Sequence, residues 1–318
     1  MKTHFSASNG NRMAFVLHDN AHGLSRDAHI LKDILEPLGW NISLHPPHIC
    51  DAKRRPFQTP TYDIVVHLET CHPKWLGAGR SQILIPNPEW FKPELTRKLR
   101  HFDLILTKTH LTTEIFSKRR SKASYLGFTS SDRFRPSVQK DWSRFFHLAG
   151  ASVQKGTEDL YFLWKKHPEW PELTIVQREK FAPTDPPRNI NLITKHIDDE
   201  ELSDLQNRCG LHLCPSRSEG WGHHLVEGMS CGALVLTTNA PPMNEFIRPE
   251  NGVLVDYDLT VPRKSSTDYY ASMRGLRAGI QNMIAMSDAD KIAKAEIAHA
   301  DYVAIDAGFR QRIREFFS

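Results

Sequence analysis

Two glutamates with seven residues between them, Glu219 and Glu227, frame the segment Glu219-Gly220-Trp221-Gly222-His223-His224-Leu225-Val226-Glu227. Gly220 and Gly222 let a ligand approach the backbone closely. A helix starting near His223 would aim its first unpaired N–H groups, and the positive end of its dipole, at the same place. Such a helix start receives an anion, a phosphate above all. Glu219 stands just before it and can accept a hydrogen bond from a sugar hydroxyl. Glu227, one turn inside and on the same helix face as His223, can accept two from ribose. The segment is shaped for a sugar attached to a diphosphate. Taken singly, each glutamate has a plainer explanation: Glu219 as a helix-start acid favoured by the dipole, Glu227 as a solvated helix face. The combination with the glycines points to a ligand.

These side chains need a strand, a loop and a helix to hold them. The apolar run Leu211-His212-Leu213-Cys214 ends at Pro215 and predicts a buried strand followed by a loop over 216–222. Leu225, Val226 and Met229 then recur at helical spacing, and Cys231-Gly232 supplies the stop. Along the whole chain, short buried strands are predicted at 13–17, 41–44, 64–67, 83–85, 104–107 and 124–126, with helical patterns at 25–38 and 109–116. A second set follows at 146–148, 173–176, 190–192, 211–214, 233–237 and 253–255. Strands alternating with helices predict an α/β protein with parallel sheets, and two such sets predict two Rossmann-like domains. The polar stretch 136–144 marks the junction, giving domains of 1–143 and 144–318. From Ser266 onward the pattern reads as helical, ending in a helix over about 300–318 that carries Phe309, Ile313 and Phe317 at intervals of four.

The signature segment resembles a known family. Pro215-Ser216-Arg217-Ser218-Glu219-Gly220-Trp221-Gly222, followed by Glu227-Gly228-Met229-Ser230-Cys231-Gly232-Ala233-Leu234-Val235-Leu236-Thr237-Thr238, resembles the donor-site signature of the retaining GT-B glycosyltransferases of family 4, the glycosyl transferases group 1. Gly150-Ala151-Ser152-Val153-Gln154-Lys155-Gly156-Thr157 resembles the opening of that family's C-terminal domain, where the lysine before glycine contacts the donor diphosphate. Asp198-Asp199-Glu200-Glu201-Leu202 and the stretch 244–255 resemble the segments on either side of the signature. The resemblance is strong over 146–255 and slight over the N-terminal half.

What the resemblance implies is specific. The fold would be GT-B, two Rossmann-like domains facing across a cleft. The N-terminal domain would hold the acceptor, the C-terminal domain the nucleotide sugar, and the terminal helix would cross back to the N-terminal domain. Lys155 and the segment Gly220, Trp221, Gly222, His223 and His224 would bind the diphosphate, Glu219 would orient the sugar and Glu227 would hold the ribose. Lys195, in the loop 193–196, would lie near the base. In the loop after the first strand, His22 or Asp19 would touch sugar or acceptor and Gly23 would allow close approach to the diphosphate; an Asn/Asp cap and a solvated turn explain that loop equally well. Gly150, Ala151 and Ser152 stand where the family commonly has an arginine, so diphosphate binding rests on Lys155. The implied reaction moves a sugar from a nucleotide-diphosphate sugar, with UDP favoured, to a hydroxyl of a glycan, lipid-linked or other acceptor, with retention and with no cofactor required. A GT-B nucleotide-sugar epimerase and a non-catalytic sugar-nucleotide or glycan-binding protein are the alternatives.

Other features narrow the reading. His67-Leu68-Glu69-Thr70 and Asn87-Pro88-Glu89-Trp90 both follow strands, where an acceptor pocket would lie, although capping and packing also account for them. The 17 histidines raise metal chemistry, yet His-Glu-x-x-His is absent around His212, His223, His224 and Glu227, and the first half shows no obvious Asp-x-Asp pair. A net charge of +4 argues against a dedicated nucleic-acid binder. Five cysteines without paired spacing read as reduced thiols of a cytoplasmic protein, and the polar stretch 1–11 does not read as a secretion signal. Apolar runs fall short of the ~20 residues that span a bilayer. The basic runs Lys53-Arg54-Arg55 and Lys118-Arg119-Arg120-Ser121-Lys122 allow peripheral contact with an anionic membrane, or simply form solvated surface.

Overall fold

The computed structural model describes residues 11–19, 23–49, 60–119 and 123–317. His22, Cys50 and the basic residues at 53–55 and 120–122 lie outside them. Two compact units emerge: unit 1 comprises 1–129, 262–266 and 305–318, and unit 2 comprises 130–261 and 267–304.

Unit 1 is built on β1 (Arg12–Val16), β2 (Asn41–His45), β3 (Tyr62–Glu69), β4 (Gly79–Pro86), β5 (Leu104–Thr107) and β6 (Ala123–Tyr125), in the order β2-β1-β3-β4-β5-β6, with every neighbouring pair parallel. Parallel strands are covered on both faces, which is why they read as continuous apolar runs rather than as alternation. Between them lie α1 (Gly23–Leu35) and α2 (His110–Ser117). Leu24, Ala28, Leu31 and Leu35 recur at three and four residues and are all buried. Thr109 caps α2 by accepting a hydrogen bond from the Thr112 amide.

Unit 2 repeats the plan with β7 (Asp141–Gly150), β8 (Leu173–Gln177), β9 (Ile190–Ile193), β10 (Cys209–Cys214), β11 (Leu234–Thr238) and β12 (Gly252–Val255), ordered β12-β11-β10-β7-β8-β9 and again parallel throughout. Its helices are α3 (Thr157–Lys166), α4 (Asp199–Arg208), α5 (His223–Ser230), α6 (Met243–Phe246), α7 (Met273–Ala285) and the part of α8 (Asp288–Phe317) that runs to residue 304. Phe145, Trp164, Leu173, Leu211, Leu234 and Leu276 belong to its core. The sheet order reverses between β7 and β10, so the loops leaving those two strands are neighbours at the carboxyl edge. Ligands bind in open α/β sheets at such a reversal.

All twelve predicted strands are present, and two expectations are corrected. The residues from Ser266 are not helical: β13 (Tyr257–Arg263) and β14 (Ser266–Ala271) form a two-stranded sheet, and α7 begins only at Met273. Tyr257, Leu259 and Val261 alternate along β13 as a strand requires. The polar stretch before Phe145 is not wholly a linker either, since Asp141–Arg144 is the first part of β7. The C-terminal helical pattern is one helix of 30 residues, α8. Phe309, Ile313 and Phe317 are buried within unit 1, where Phe309 packs 5.0 Å from Phe128 and the Trp40 indole N–H donates to the Phe317 carbonyl at 2.9 Å.

Cys71, Cys209, Cys214 and Cys231 are buried free thiols, pushed by burial up to about 11 or 12. No described helix is long and apolar enough to cross a membrane. Of the basic run at 118–122, Lys118 pairs with Glu114 at 2.5 Å and Arg119 donates to Ser265 at 2.9 Å.

Burial also keeps several histidines neutral. His67 and His212 are pulled down to about 3, and His72 and His147 to about 4, in each case chiefly because burial disfavours the cation. The unfolded chain gains protons at these positions below their ordinary value of 6.5 and the native state does not, so their contribution is complete above that pH and is lost as pH falls toward about 4 for His72 and His147 and about 3 for His67 and His212. We expect the melting temperature to be level between about pH 7 and 8 and to drop steadily from about pH 6.5 downward in a calorimetric pH series, the window set by these ionisations.

Candidate active site

The two loops at the reversal of the unit 2 sheet are locked together by their backbones. At the end of β7, Gly150 bends the chain at φ 57°, Ser152 caps a short 3-10 turn over Val153–Lys155, and Gly156 leads into α3 at φ 67°. A Cβ on Gly156 would stand 2.4 Å from the Pro215 carbonyl oxygen, so only glycine lets the loop after β7 lie against the loop after β10. The Arg217 amide completes the closure by donating to the Gln154 carbonyl at 2.8 Å.

That closure delivers Lys155 to the signature glutamate. Lys155 Nζ lies 2.6 Å from Glu219 Oε1, with both side chains mostly buried. It also donates to His224 Nδ1 at 3.0 Å. With that nitrogen accepting, Nε2–H of His224 donates to the Ser216 hydroxyl at 3.1 Å, which fixes the tautomer by assignment from the network. Burial, and then the Lys155 charge, hold His224 well below its usual range, so it is a neutral acceptor. Behind it, His147 donates from Nδ1 to the Leu213 carbonyl at 2.7 Å and accepts the Thr157 hydroxyl at 2.9 Å.

Helix α5 starts where the sequence predicts. Gly222 takes φ 89° as its N-cap, and the helix runs from His223 with Leu225, Val226 and Met229 all inside. Its first N–H groups therefore face the end of the loop that carries Glu219 and Gly220. His223 Nδ1 is 2.8 Å from the Ser130 hydroxyl. Trp221 is only 3% exposed; its indole N–H reaches Ser130 Oγ at 3.1 Å and its ring meets Phe246 edge to face at 4.7 Å. The indole thus braces the loop, and Trp221 can offer a ligand only its backbone.

Glu227 is held differently from the solvated face that its position allowed. It has no solvent exposure; Gln206 Nε2 donates to its Oε2 at 3.0 Å and Arg133 Nε lies 3.8 Å from its Oε1. Arg133 is itself buried and bidentate to Asp199, at 2.6 and 2.7 Å. In this arrangement the carboxylate is closed, and contact with a ribose requires Gln206 to give way. Lys195 is exposed on the loop after β9, the edge strand two places from β7 in the sheet order. Gly23 is the first residue of α1 in unit 1.

Some supporting residues were not anticipated. Ser218 Oγ donates to Asp268 at 2.8 Å and the Tyr269 amide to the Arg217 carbonyl at 2.7 Å, so β14 braces the signature loop. Arg133 and Gln206 lie in segments whose local pattern carries no sign of the site. Their partner, a glutamate on the inner face of a helix, is the one available signal. Among the described residues no group of three or more histidine, cysteine or acidic side chains is arranged to hold a metal ion.

Residues 188–259 match the family of glycosyl transferases group 1. The match takes in Glu219, Glu227 and the whole of α5. A serotype-specific mannosyltransferase, WbdA of Escherichia coli, is 31% identical over 155 residues, a stretch covering 48% of this chain and 17% of the relative. Among solved structures, a glycosyltransferase from Rickettsia africae superposes with a TM-score of 0.71 at 12% identity, covering 97% of this chain and 98% of the other. Sucrose-phosphate synthase from Thermosynechococcus elongatus gives 0.68 at 14% identity, covering 95% and 97%. Anabaena HepE in complex with UDP and glucose gives 0.65 at 16% identity, covering 96% and 97%. The fold is GT-B.

Two outcomes follow from the site's charges. Lys155→Met removes the cation beside His224, and the His224 ring should titrate at a higher pH than in the wild type when followed by NMR. Glu227→Ala leaves the buried Arg133 without one of its two carboxylates and should lower stability by about 3 kcal/mol in denaturant melts.

Proposed function

We propose that this protein is a retaining glycosyltransferase that moves a sugar from a nucleoside-diphosphate sugar to an acceptor hydroxyl. The observation that carries the reading is the contact of Lys155 with Glu219 and His224, 2.6 and 3.0 Å away, beside the start of α5 at the reversal of the sheet. An arriving diphosphate would take the Lys155 hydrogen bonds in competition with Glu219, since charge-assisted bonds to phosphate are strong. Glu219, released, accepts a bond from a sugar hydroxyl. The ribose meets Glu227 by displacing the Gln206 amide, exchanging one hydrogen-bond partner for another. Gly220, Gly222, His223 and His224 supply backbone N–H groups to the phosphates, as does Trp221 without its ring.

The chemistry follows from where charge grows. As the bond between the anomeric carbon and the phosphate oxygen breaks, negative charge builds on the leaving diphosphate, and Lys155 with the α5 start stabilises it without reorganising. The acceptor oxygen attacks from the same face, forming the new glycosidic bond, and its proton passes to the departing phosphate. This scheme needs neither a protein nucleophile nor a resident metal, because the lysine and the helix start provide the positive charge. UDP is the favoured nucleotide on the strength of the HepE complexes with UDP and UDP-glucose. The mannosyltransferase relative points to a hexose as the transferred sugar.

We expect calorimetry against UDP, GDP, ADP and TDP to give micromolar binding of one of them. Lys155→Ala should weaken that binding at least tenfold, about 1.4 kcal/mol, and Glu227→Gln by roughly 1.5 to 3 kcal/mol. With donor and acceptor together, nucleotide release should depend on acceptor, persist in EDTA and give a product of unchanged anomeric configuration by NMR. Binding of none of the four nucleotides would overturn the reading. Epimerised donor without release would make the protein an isomerase.

A further inference from the structure

Unit 1 holds a strained acid at the reversal of its own sheet. Among the described residues only Glu69 and Lys264 combine a side chain with a positive φ, 69° and 46°. Lys264 sits in the short connection between β13 and β14, where a left-handed residue is ordinary. Glu69 has no such excuse. The Thr70 amide bonds back to the Leu68 carbonyl at 2.8 Å across it, which makes Glu69 the centre of a γ-turn of positive φ, the rare and strained kind. The Asn87 amide holds the turn by donating to the Glu69 carbonyl at 3.0 Å. Glycine would adopt this backbone freely, yet the chain keeps a glutamate there. Strain of this sort collects at functional sites. Glu69 is also the last residue of β3, beside β1, where the order β2-β1-β3 reverses, the position at which parallel sheets receive ligands.

The surroundings suit a polyhydroxylated ligand. Lys108, buried to 2% exposure, is bonded to Asp27 and, at 3.1 Å, to Asn87 Oδ1. The Glu69 side chain makes no hydrogen bond with any described residue; burial pushes its carboxyl up, Lys108 draws it down and Asp27 raises it further. Following β4, Trp90 is 44% exposed. Lys264 and Arg263 lie 4.1 and 5.3 Å from its ring centre, and Ser265 is anchored to the Phe91 and Pro88 carbonyls at 2.7 and 3.3 Å. A half-buried carboxyl can bind hydroxyl groups and an exposed indole the apolar face of a ring, the two kinds of contact by which a saccharide is held.

We propose that Glu69 is the residue of unit 1 that recognises a saccharide hydroxyl of the acceptor, its carboxyl presented by the strained turn at the end of β3. The ligand class rests on the transferase reading above; the site rests on unit 1 alone. The test is saturation-transfer NMR with methyl α-D-mannopyranoside and methyl α-D-glucopyranoside on the full chain, run beside UDP calorimetry and thermal melts. Glu69→Gln keeps the shape of the side chain, and Glu69→Gly relieves the turn, so the second variant should fold with a melting temperature at or above that of the wild type. Expected are saturation of a glycoside by wild type and by Lys155→Ala, its loss by about tenfold or more in both Glu69 variants, and unchanged UDP affinity in those two. Equal saturation in the Glu69 variants would overturn the proposal, as would a lowered melting temperature in Glu69→Gly. Absence of saturation in a wild type that binds UDP would also overturn it while leaving the donor reading intact. Failure of UDP, GDP, ADP and TDP all to bind, with Glu69-dependent saturation retained, would remove the transferase reading and leave the saccharide site.

Discussion

The close approach of Gly156 to the Pro215 carbonyl is the constraint on which the candidate site depends. Any side chain at 156 would force apart the loops after β7 and β10. Lys155 would then no longer reach both Glu219 and His224. Neighbouring strands bring the two loops to one edge, but strand pairing alone leaves loop ends several ångströms apart. The left-handed glycine and the hydrogen bond from Arg217 to Gln154 close the remaining distance. The geometry of the cation is thus set by backbone packing, and its orientation by the neutral histidine behind it.

Electrostatics in this region work by compensation. Both signature acids have protein partners in the structure: Lys155 for Glu219, Gln206 and Arg133 for Glu227. A buried carboxylate without such partners would be strongly destabilising. The same partners are the groups that a diphosphate and a ribose would compete for or displace. Ligand binding on this reading is an exchange of hydrogen bonds rather than their creation, which keeps the net affinity moderate and the release of products feasible.

The strand pattern was legible because a parallel strand buried on both faces writes a continuous apolar run into its sequence. Leu104–Thr107 is such a case, matching residue for residue. The hairpin of β13 and β14 was not legible: Ser266–Ala271 carries Thr267, Asp268 and Tyr269, too polar for a core strand, and its pairing partner rather than its composition makes it extended. Glu227 shows the same division at the level of one residue. Its spacing from Glu219 is visible in the chain, whereas its complete burial comes from Gln206 and Arg133, which no local pattern links to it.

Sequence by itself determined the two parallel α/β sets, the turn into α5 and the spacing of Glu219 and Glu227 around it, because these depend on local conformation and on the order of adjacent side chains. Tertiary structure alone decided which of them meet. Lys155 is 64 positions from Glu219, and only the strand order that places β10 beside β7 makes them neighbours. It also decided that Trp221 packs inward and that Glu69 is held in a strained turn, since burial and backbone strain are imposed by partners distant in the chain.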